Sequence, residues 1–299
     1  MKFKIEAENS KERLDAFLTN NTDFSRSKLT KLIKDGQVLV NGDKVKPGYA
    51  LKENDEIEIN YVEEEMTAIA ENLNLDIVYE DEDVIVVNKP NGMVVHPAVG
   101  NPTGTLVNGL LYHSKNLSSI NGEFRPGIVH RIDAYTTGLL MVAKNDNAHI
   151  KLAKQLEEKT THRIYYALVE GIINNETGTI DAPIGRDSKD RKKMAVTEEN
   201  SKNAVTHFRV IERFKRATLI ELKLETGRTH QIRVHMKYIG HPVVNDPVYG
   251  NKKMIFDESG QCLHAKELGF IHPTTNEYMS FNSELPECFT NIMEILKNE

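Results

Sequence analysis

The sequence predicts an α+β chain with a mainly antiparallel, mixed sheet, preceded by a small module of two helices and a few strands. Three observations carry that expectation. Past residue 75, strand-like and helix-like runs interleave without the regular βαβ rhythm of a doubly wound sheet. Near the N-terminus, Asn41-Gly42 stands between two runs rich in Val and Leu, a strong short hairpin signal. Between these regions, residues 53–71 hold eight acids and no Lys or Arg. The expected boundaries are 1–62 for the module, 63–74 for an acidic linker and 75–299 for the larger domain.

In chain order, residues 11–18 and 27–34 read as short amphipathic helices, with Leu14, Phe17 and Leu18 on one apolar face and Leu29, Leu32 and Ile33 on the other. Asp35-Gly36 stops the second helix. Residues 37–40 and 44–45 flank the Asn-Gly turn, and 55–61 supply another strand. In the larger domain, the apolar run 83–88 is a strand ending in the turn Lys89-Pro90-Asn91-Gly92. Residues 105–113 form a helix burying Leu106, Val107, Leu110 and Leu111, and 139–143 a buried strand. Asp146 is expected to cap a helix through Lys159, with Ile150, Leu152, Ala153 and Leu156 inward. Residues 163–169 and 218–225 alternate as strands, and Thr229 caps a helix that Gly240 closes.

At 299 residues, with 39% hydrophobic and 27% charged residues, the chain has the composition of an ordinary globular protein. It lacks a signal-like start and any apolar run of the 18 or so residues a membrane span needs, so a cytoplasmic location without a membrane partner is expected. Cys262 and Cys288 are far apart and outside any CxxC, which removes a disulfide framework and a Cys-rich zinc site and leaves both as buried bystanders. The net charge of −6 speaks against nucleic acid until its distribution is read. Residues 25–48 carry six cations against two acids, a net +4, and residues 186–193 five against two, a net +3. The first patch is as readable as a solvated helix face as an RNA contact, and the second reads by composition more readily as a solvated charged loop.

Several chemistries fail on spacing. His130-Arg131-Ile132-Asp133 has the look of a kinase catalytic loop, but the Asp is displaced and no DFG or Gly-rich phosphate loop follows. Residues 100–105 lack the Lys of a phosphate loop, and there is no Gly-x-Ser-x-Gly elbow. His230, His235 and His241, at spacings of five and six, do not share a helix face, so no metal is expected. What remains is Asp133, with Arg131 two residues before it. A cation there would keep the carboxylate ionised, fit to be a nucleophile or base. The pair is also readable as an ordinary ion pair that fixes a loop.

The stretch RPGIVHRIDAYTTGLLMVAKND resembles the signature of the RluA/RluD-type RNA pseudouridine synthases, and the resemblance extends through VVNKPNGMVVHPAVGNPTGTLVNGLLYH, RIYYALVEG, IGRDSKDRKKMAV, ETGRTHQIRVHMKYIGHPVVNDPVYG and LHAKELGFIHP. The stretch SRSKLTKLIKDGQVLVNGDKVKPGYAL with NDEIEI resembles the small RNA-binding domain first known from the fourth small-subunit ribosomal protein. Nearly the whole chain is covered. The resemblance implies the pseudouridine synthase fold behind an αL-type RNA-binding domain, and an isomerase that converts uridines to pseudouridine in large-subunit ribosomal RNA or its precursor particle. The alternatives are a transfer RNA substrate, or an inactive ribosome-assembly protein. It implies Asp133 as nucleophile, Tyr165 as the aromatic residue against the base, Arg233 as the partner of Asp133, and Arg131 as the filler of the space left by a flipped nucleotide. His130, Thr136, Arg228, His230 and Gln231 are implied in substrate binding, and Arg26, Lys28, Lys31 and Lys34 in RNA contact by the N-terminal module. No cofactor or metal is implied, and a monomer is expected. Ala134 and Tyr135 depart from the Lys-acid pair of many relatives, and Tyr166 beside Tyr165 leaves the choice of tyrosine to the family pattern.

Overall fold

The structure, a computed structural model, describes all residues except 23, 62–67, 99, 121, 123–124 and 191–192. Two units divide the chain, Met1–Glu65 and Met66–Glu299.

In the first unit, β1 (Lys2–Lys4), α1 (Leu14–Asn21), α2 (Arg26–Lys34), β2 (Val38–Val40), β3 (Asp43–Lys44) and β4 (Glu56–Ile59) follow in order. The strands pair antiparallel as β1-β4-β2-β3. Asn41 and Gly42 both take positive φ, +54° and +83°, which makes the β2–β3 reversal the sequence predicts. Leu14, Leu18, Leu29, Ile33 and Val38 bury the helices against the sheet. α1 begins at Leu14, later than expected, because Lys11 sits in the left-handed region at φ +76° and cannot continue a helix.

The second unit runs β5 (Asp76–Glu80), β6 (Val84–Lys89), α3 (Leu106–His113), β7 (Thr137–Ala143), α4 (Asp146–Glu157), β8 (His162–Glu170), β9 (Thr177–Asp181), β10 (Ile184–Arg186), β11 (Met194–Val196), β12 (Val205–Arg213), β13 (Ala217–Leu224), α5 (Gln231–Tyr238), β14 (Leu263–Ile271), β15 (Tyr278–Asn282) and α6 (Glu287–Lys297). One mixed sheet is ordered β5-β6-β7-β14-β8-β13-β12-β9, with β15 beside β14, and β10–β11 form a separate hairpin. All its pairings are antiparallel except β7–β14, which is parallel over His264↔Thr137 and Ala265↔Gly138.

The alternation read in β8 is between two covered faces, not between core and water. Tyr165, Ala167 and Val169 join one cluster with Leu140, Leu222 and Ile232, while Leu168 joins another with Phe289 and Ile292 of α6. A central strand covered on both sides has no solvent face to reveal. The cap of α4 is Asn145, whose side chain accepts from Ala148 N at 2.9 Å, not Asp146. Asp146 instead accepts from Ser118 Oγ and Ser119 N. The buried face of α4 is Ala148, His149 and Leu152, and Ile150 is exposed. In the expected linker, residues 63–67 lie outside the described residues. The remainder is docked: Ile69 O accepts from Asn108 Nδ2 of α3, and Glu71 N donates to Asn108 O. Cys262 is buried, whereas Cys288 is only half-buried. Among the described residues no helix is long and apolar enough to cross a membrane.

Candidate active site

Asp133 lies in the loop that enters β7, not in one that leaves a strand. Thr136 N donates to Asp133 O at 3.0 Å and closes a tight turn, after which Thr137 begins the strand. Gly138 has φ +104°, and a Cβ there would strike the backbone carbonyl of Ala265. That glycine lets β14 lie parallel against the loop's exit, so the Thr-Thr-Gly of the signature is a packing requirement. The loop has two further anchors. His130 Nε2 accepts from Met141 N at 3.2 Å, and burial pushes this ring down to about 3, so it is neutral. Lys89 is fully buried at the end of β6, and its Nζ donates to the carbonyls of Pro90, Met93 and Ala134 at 2.8, 2.9 and 2.7 Å. Burial lowers Lys89 to about 7, against the opposing pull of Asp133.

The partner of the Asp133 carboxylate is Arg233 of α5. Its Nη1 donates to Asp133 Oδ2 at 2.8 Å, while Nε and Nη2 grip Asp246 bidentately at 2.7 and 2.9 Å. Arg233 is 4% exposed and Asp246 1%. Asp246 Oδ1 also accepts from Val248 N and Tyr249 N, so the arginine is clamped from behind before it reaches Asp133. Arg131, expected as the neighbouring cation, is not the ion-pair partner: it is exposed, with Nη1 3.4 Å from His96 Nε2. Among the described residues no hydrogen bond to Asp133 Oδ1 is seen, and His230 Nε2 lies 3.9 Å from it.

α5 starts at Gln231 because His230 takes the left-handed conformation, φ +56°, and Thr229 does not cap it. Gln231 has no free amide to offer a substrate. Its Nε2 donates to Val205 O and Thr206 Oγ1, and its Oε1 accepts from Thr226 Oγ1 and Arg228 N, so it ties α5 to β12. His230 Nδ1 pairs with Tyr249 Oη at 2.9 Å, and Tyr249 Oη accepts from Met194 N at the start of β11. Arg228 donates through Nε to Asn203 O. Thr136 is buried and its Oγ1 accepts from Gln261 Nε2 at 3.2 Å. His235 bonds Thr206 Oγ1 and Ala182 O, and His241 bonds Glu170 O, so the three histidines of this region have separate partners. Among the described residues no three His, Cys, Asp or Glu side chains gather as a metal site.

These groups border one cleft of about 340 Å³. Asp133, Tyr165 and Arg233 line it together with His130, Arg131, Thr136, Arg163, Arg228, His230 and Gln231. Tyr165 is buried and Tyr166, on the opposite face of β8, is only half-buried, as strand alternation requires. Burial, partly opposed by Arg163, raises the Tyr165 phenol, so it is a neutral hydroxyl near neutral pH. Four residues of the site carry no prior assignment from sequence: Lys89, Asp246, Tyr249 and Arg163. All four sit inside quoted signature segments, and for Lys89 the one available signal is a charged residue at the end of an apolar run, as in Val86-Val87-Asn88-Lys89.

In the N-terminal unit, the four expected RNA-contact residues divide. Arg26 bonds the buried Asp15 at 3.0 Å, and Lys28 lies over the rings of Phe24 and Tyr61 at 4.6 and 4.4 Å. Lys31 and Lys34 are exposed on α2. Arg191 and Lys192 of the basic run at 186–193 are outside the described residues.

The comparisons with known proteins place this mixed sheet, with its arginine-clamped aspartate lining one cleft and a separate unit that carries a basic helix, among RNA-modifying enzymes. A profile of the RNA pseudouridylate synthase family matches residues 83–238, and one of the S4 domain matches residues 12–57. The chain is 57% identical over 292 residues to the uncharacterized RNA pseudouridine synthase YlyB of Bacillus subtilis, covering 97% of this chain and 96% of that one. It is 46% identical to the ribosomal large subunit pseudouridine synthase D of Neisseria meningitidis serogroup A, covering 96% of this chain and 79% of that one. Among solved structures, human RNA pseudouridylate synthase domain containing 1 superposes with a TM-score of 0.58 at 28% identity, over 77% of this chain and 97% of that one. The chain belongs to the RNA pseudouridine synthase family of isomerases and carries an N-terminal S4 RNA-binding domain.

Proposed function

We propose that the enzyme isomerises uridines of large-subunit ribosomal RNA, with Asp133 as nucleophile on a nucleotide flipped into the cleft. The observation that carries the chemistry is the asymmetry of Asp133, which lines the cleft: Oδ2 is fixed by the doubly anchored Arg233, while among the described residues no hydrogen bond reaches Oδ1. A carboxylate positioned by one oxygen and open at the other is built to attack. Attack on the nucleotide lets uracil leave its sugar, rotate and rejoin through carbon, and the ring proton at that carbon is lost as the new bond settles. Tyr165 presents its face to the base, and its neutral hydroxyl can accept that proton only by passing its own onward. A duplex uridine is out of reach until extruded, and Arg131, exposed on the cleft lining, fills the vacated stack in this reading. His130, held neutral on Met141 N, and Gln231, with its amide fully used, act on the substrate through the loop and helix they fix. The ribosomal RNA assignment is supported by the large-subunit synthase relatives and the S4 domain.

The test is chemical mapping of pseudouridine across ribosomal and transfer RNA from cells lacking the protein, then resupplied with the intact chain or Asp133→Ala. Sites in large-subunit RNA should vanish and return only with the intact chain. Loss confined to transfer RNA moves the substrate, and full restoration by Asp133→Ala ends the nucleophile reading.

A further inference from the structure

Arg163 is a buried cation with no counter-ion among the described residues. It stands two residues before Tyr165 on β8, so both side chains leave the same face of the strand and both line the cleft. It is only 8% exposed. Among the described residues no carboxylate lies within 4.0 Å of its guanidinium, and its Nε has no hydrogen-bond partner. Glu157, the other acid of the cleft besides Asp133, is exposed and outside ion-pair reach. The contrast with Arg233, which satisfies two carboxylates a few residues of cleft wall away, is sharp. Withdrawing a guanidinium from water with no partner is costly, and such groups persist where a ligand supplies the missing charge.

The wall above it is shaped for the same purpose. Gly227 lies over the guanidinium, and a Cβ at that position would stand 3.3 Å from Arg163 Nη1. Its φ is ordinary, so the glycine is there for space and not for conformation. The cleft lining carries Arg131, Arg163, Arg228 and Arg233 against Asp133 and Glu157, a net positive wall in a chain of net charge −6. Two strand residues span about 7 Å, the scale of the reach from a pyrimidine ring to a phosphate on its own sugar.

We infer that Arg163 seats a phosphate adjoining the uridine whose ring rests on Tyr165. This deepens the isomerase reading and rests on it for the identity of the nucleoside. The anion could belong to the 5′ or the 3′ side of the target, and the test separates them. Uridine, uridine 5′-monophosphate, uridine 3′-monophosphate and inorganic phosphate are titrated into the full-length protein while the Arg163 Nε–H resonance is followed, assigned through Arg163→Lys. One monophosphate should bind at least about tenfold tighter than uridine, the size of a charge-assisted contact. It should move the Arg163 resonance in step, and inorganic phosphate should move it weakly. Arg163→Gln should erase the advantage and Arg163→Lys restore part of it. If neither monophosphate outbinds uridine, or if the advantage survives in folded Arg163→Gln, the subsite is refuted. Should Arg163→Gln not fold, the intact protein still decides, because a resonance unmoved by every phosphate at its highest soluble concentration refutes it alone. Pseudouridine mapping with Asp133→Ala makes no use of Arg163, so failure of the subsite and failure of the isomerase reading give different results.

Discussion

Asp246→Asn asks whether Arg233 is held by Asp133 or by the carboxylate behind it. Asp246 accepts four hydrogen bonds, from Arg233 Nε and Nη2 at 2.7 and 2.9 Å and from Val248 N and Tyr249 N at 2.8 and 3.0 Å. Asparagine keeps the oxygen that serves Val248, Tyr249 and Nη2, but its NH₂ takes the place of Oδ2 and meets Arg233 Nε, donor against donor. Arg233, itself 4% exposed, then has only Asp133 as counter-ion. Breaking one partner of a buried ion pair costs about 3–5 kcal/mol, and that is the stability loss expected in denaturant titrations with an unchanged slope. The guanidinium, no longer clamped, loses its aim at Asp133 Oδ2, and misplacement on that scale lowers a rate by about 10². Single-turnover formation of pseudouridine at saturating ribosomal RNA measures it. A cycle with Arg233→Met should return coupling of several kcal/mol. A variant within about 1 kcal/mol of the parent with an unchanged rate would refute the clamp.

Lys89→Met should slow single turnover more than it weakens RNA binding, at a stability cost of about 1–3 kcal/mol for the carbonyls left without a donor. Because burial lowers Lys89 to about 7, the unfolded chain binds a proton that the folded chain has released between there and 10.5. Wild-type stability should therefore rise with pH across that window, and the slope should be absent in Lys89→Met. A flat wild-type profile would show that the three carbonyls keep the ammonium charged. His264, buried between Thr137 Oγ1 and Ser283 Oγ, is lowered to about 4 by burial and by Lys266. The unfolded chain protonates it below about 6.5 while the folded chain does not, so stability falls as pH drops, by about 2 kcal/mol at pH 5. His264→Gln should flatten that limb in urea titrations. In the S4 domain, Lys31→Ala with Lys34→Ala should weaken RNA binding and reduce its salt slope by about 1–2 at constant melting temperature. Lys28→Ala should instead destabilise the unit by about 1 kcal/mol through its lost ring contacts. Equal effects from all three lysines would contradict that division.

The N-terminal hairpin and both small helices were legible because their signals are local: Asn41-Gly42 needs positive φ at both positions, and the apolar faces of α1 and α2 point one way. In the second unit, helix cores were legible and their ends were not. Asn145 outcompeted Asp146 as a cap because Asp146 found Ser118 and Ser119, partners remote in sequence. The start of α5 depends on His230 in a left-handed turn, which no helix-start signal marks. The family pattern supplied Asp133, Tyr165 and Arg233, and the cleft does bring them together. Local spacing, however, pointed to Arg131 as the cation beside Asp133, since two residues apart in sequence looks closer than a hundred. Asp246 and Lys89 act across strand and helix boundaries, where neither period nor spacing carries information.

The pairing of β7 with β14 sets a timetable. Asp133 enters from β7, whereas Tyr165 stands on β8 and Arg233 follows β13, and the sheet joins these two halves only through β14 lying between β7 and β8. β14 is synthesised more than a hundred residues after Asp133. A growing chain that has already made Asp133, Tyr165, Arg233 and Asp246 still has no seam to hold them in register. The register that brings Asp133 to Arg233 is completed by residues 263–271, so the ion pair waits on about a hundred and thirty residues of chain made after its carboxylate.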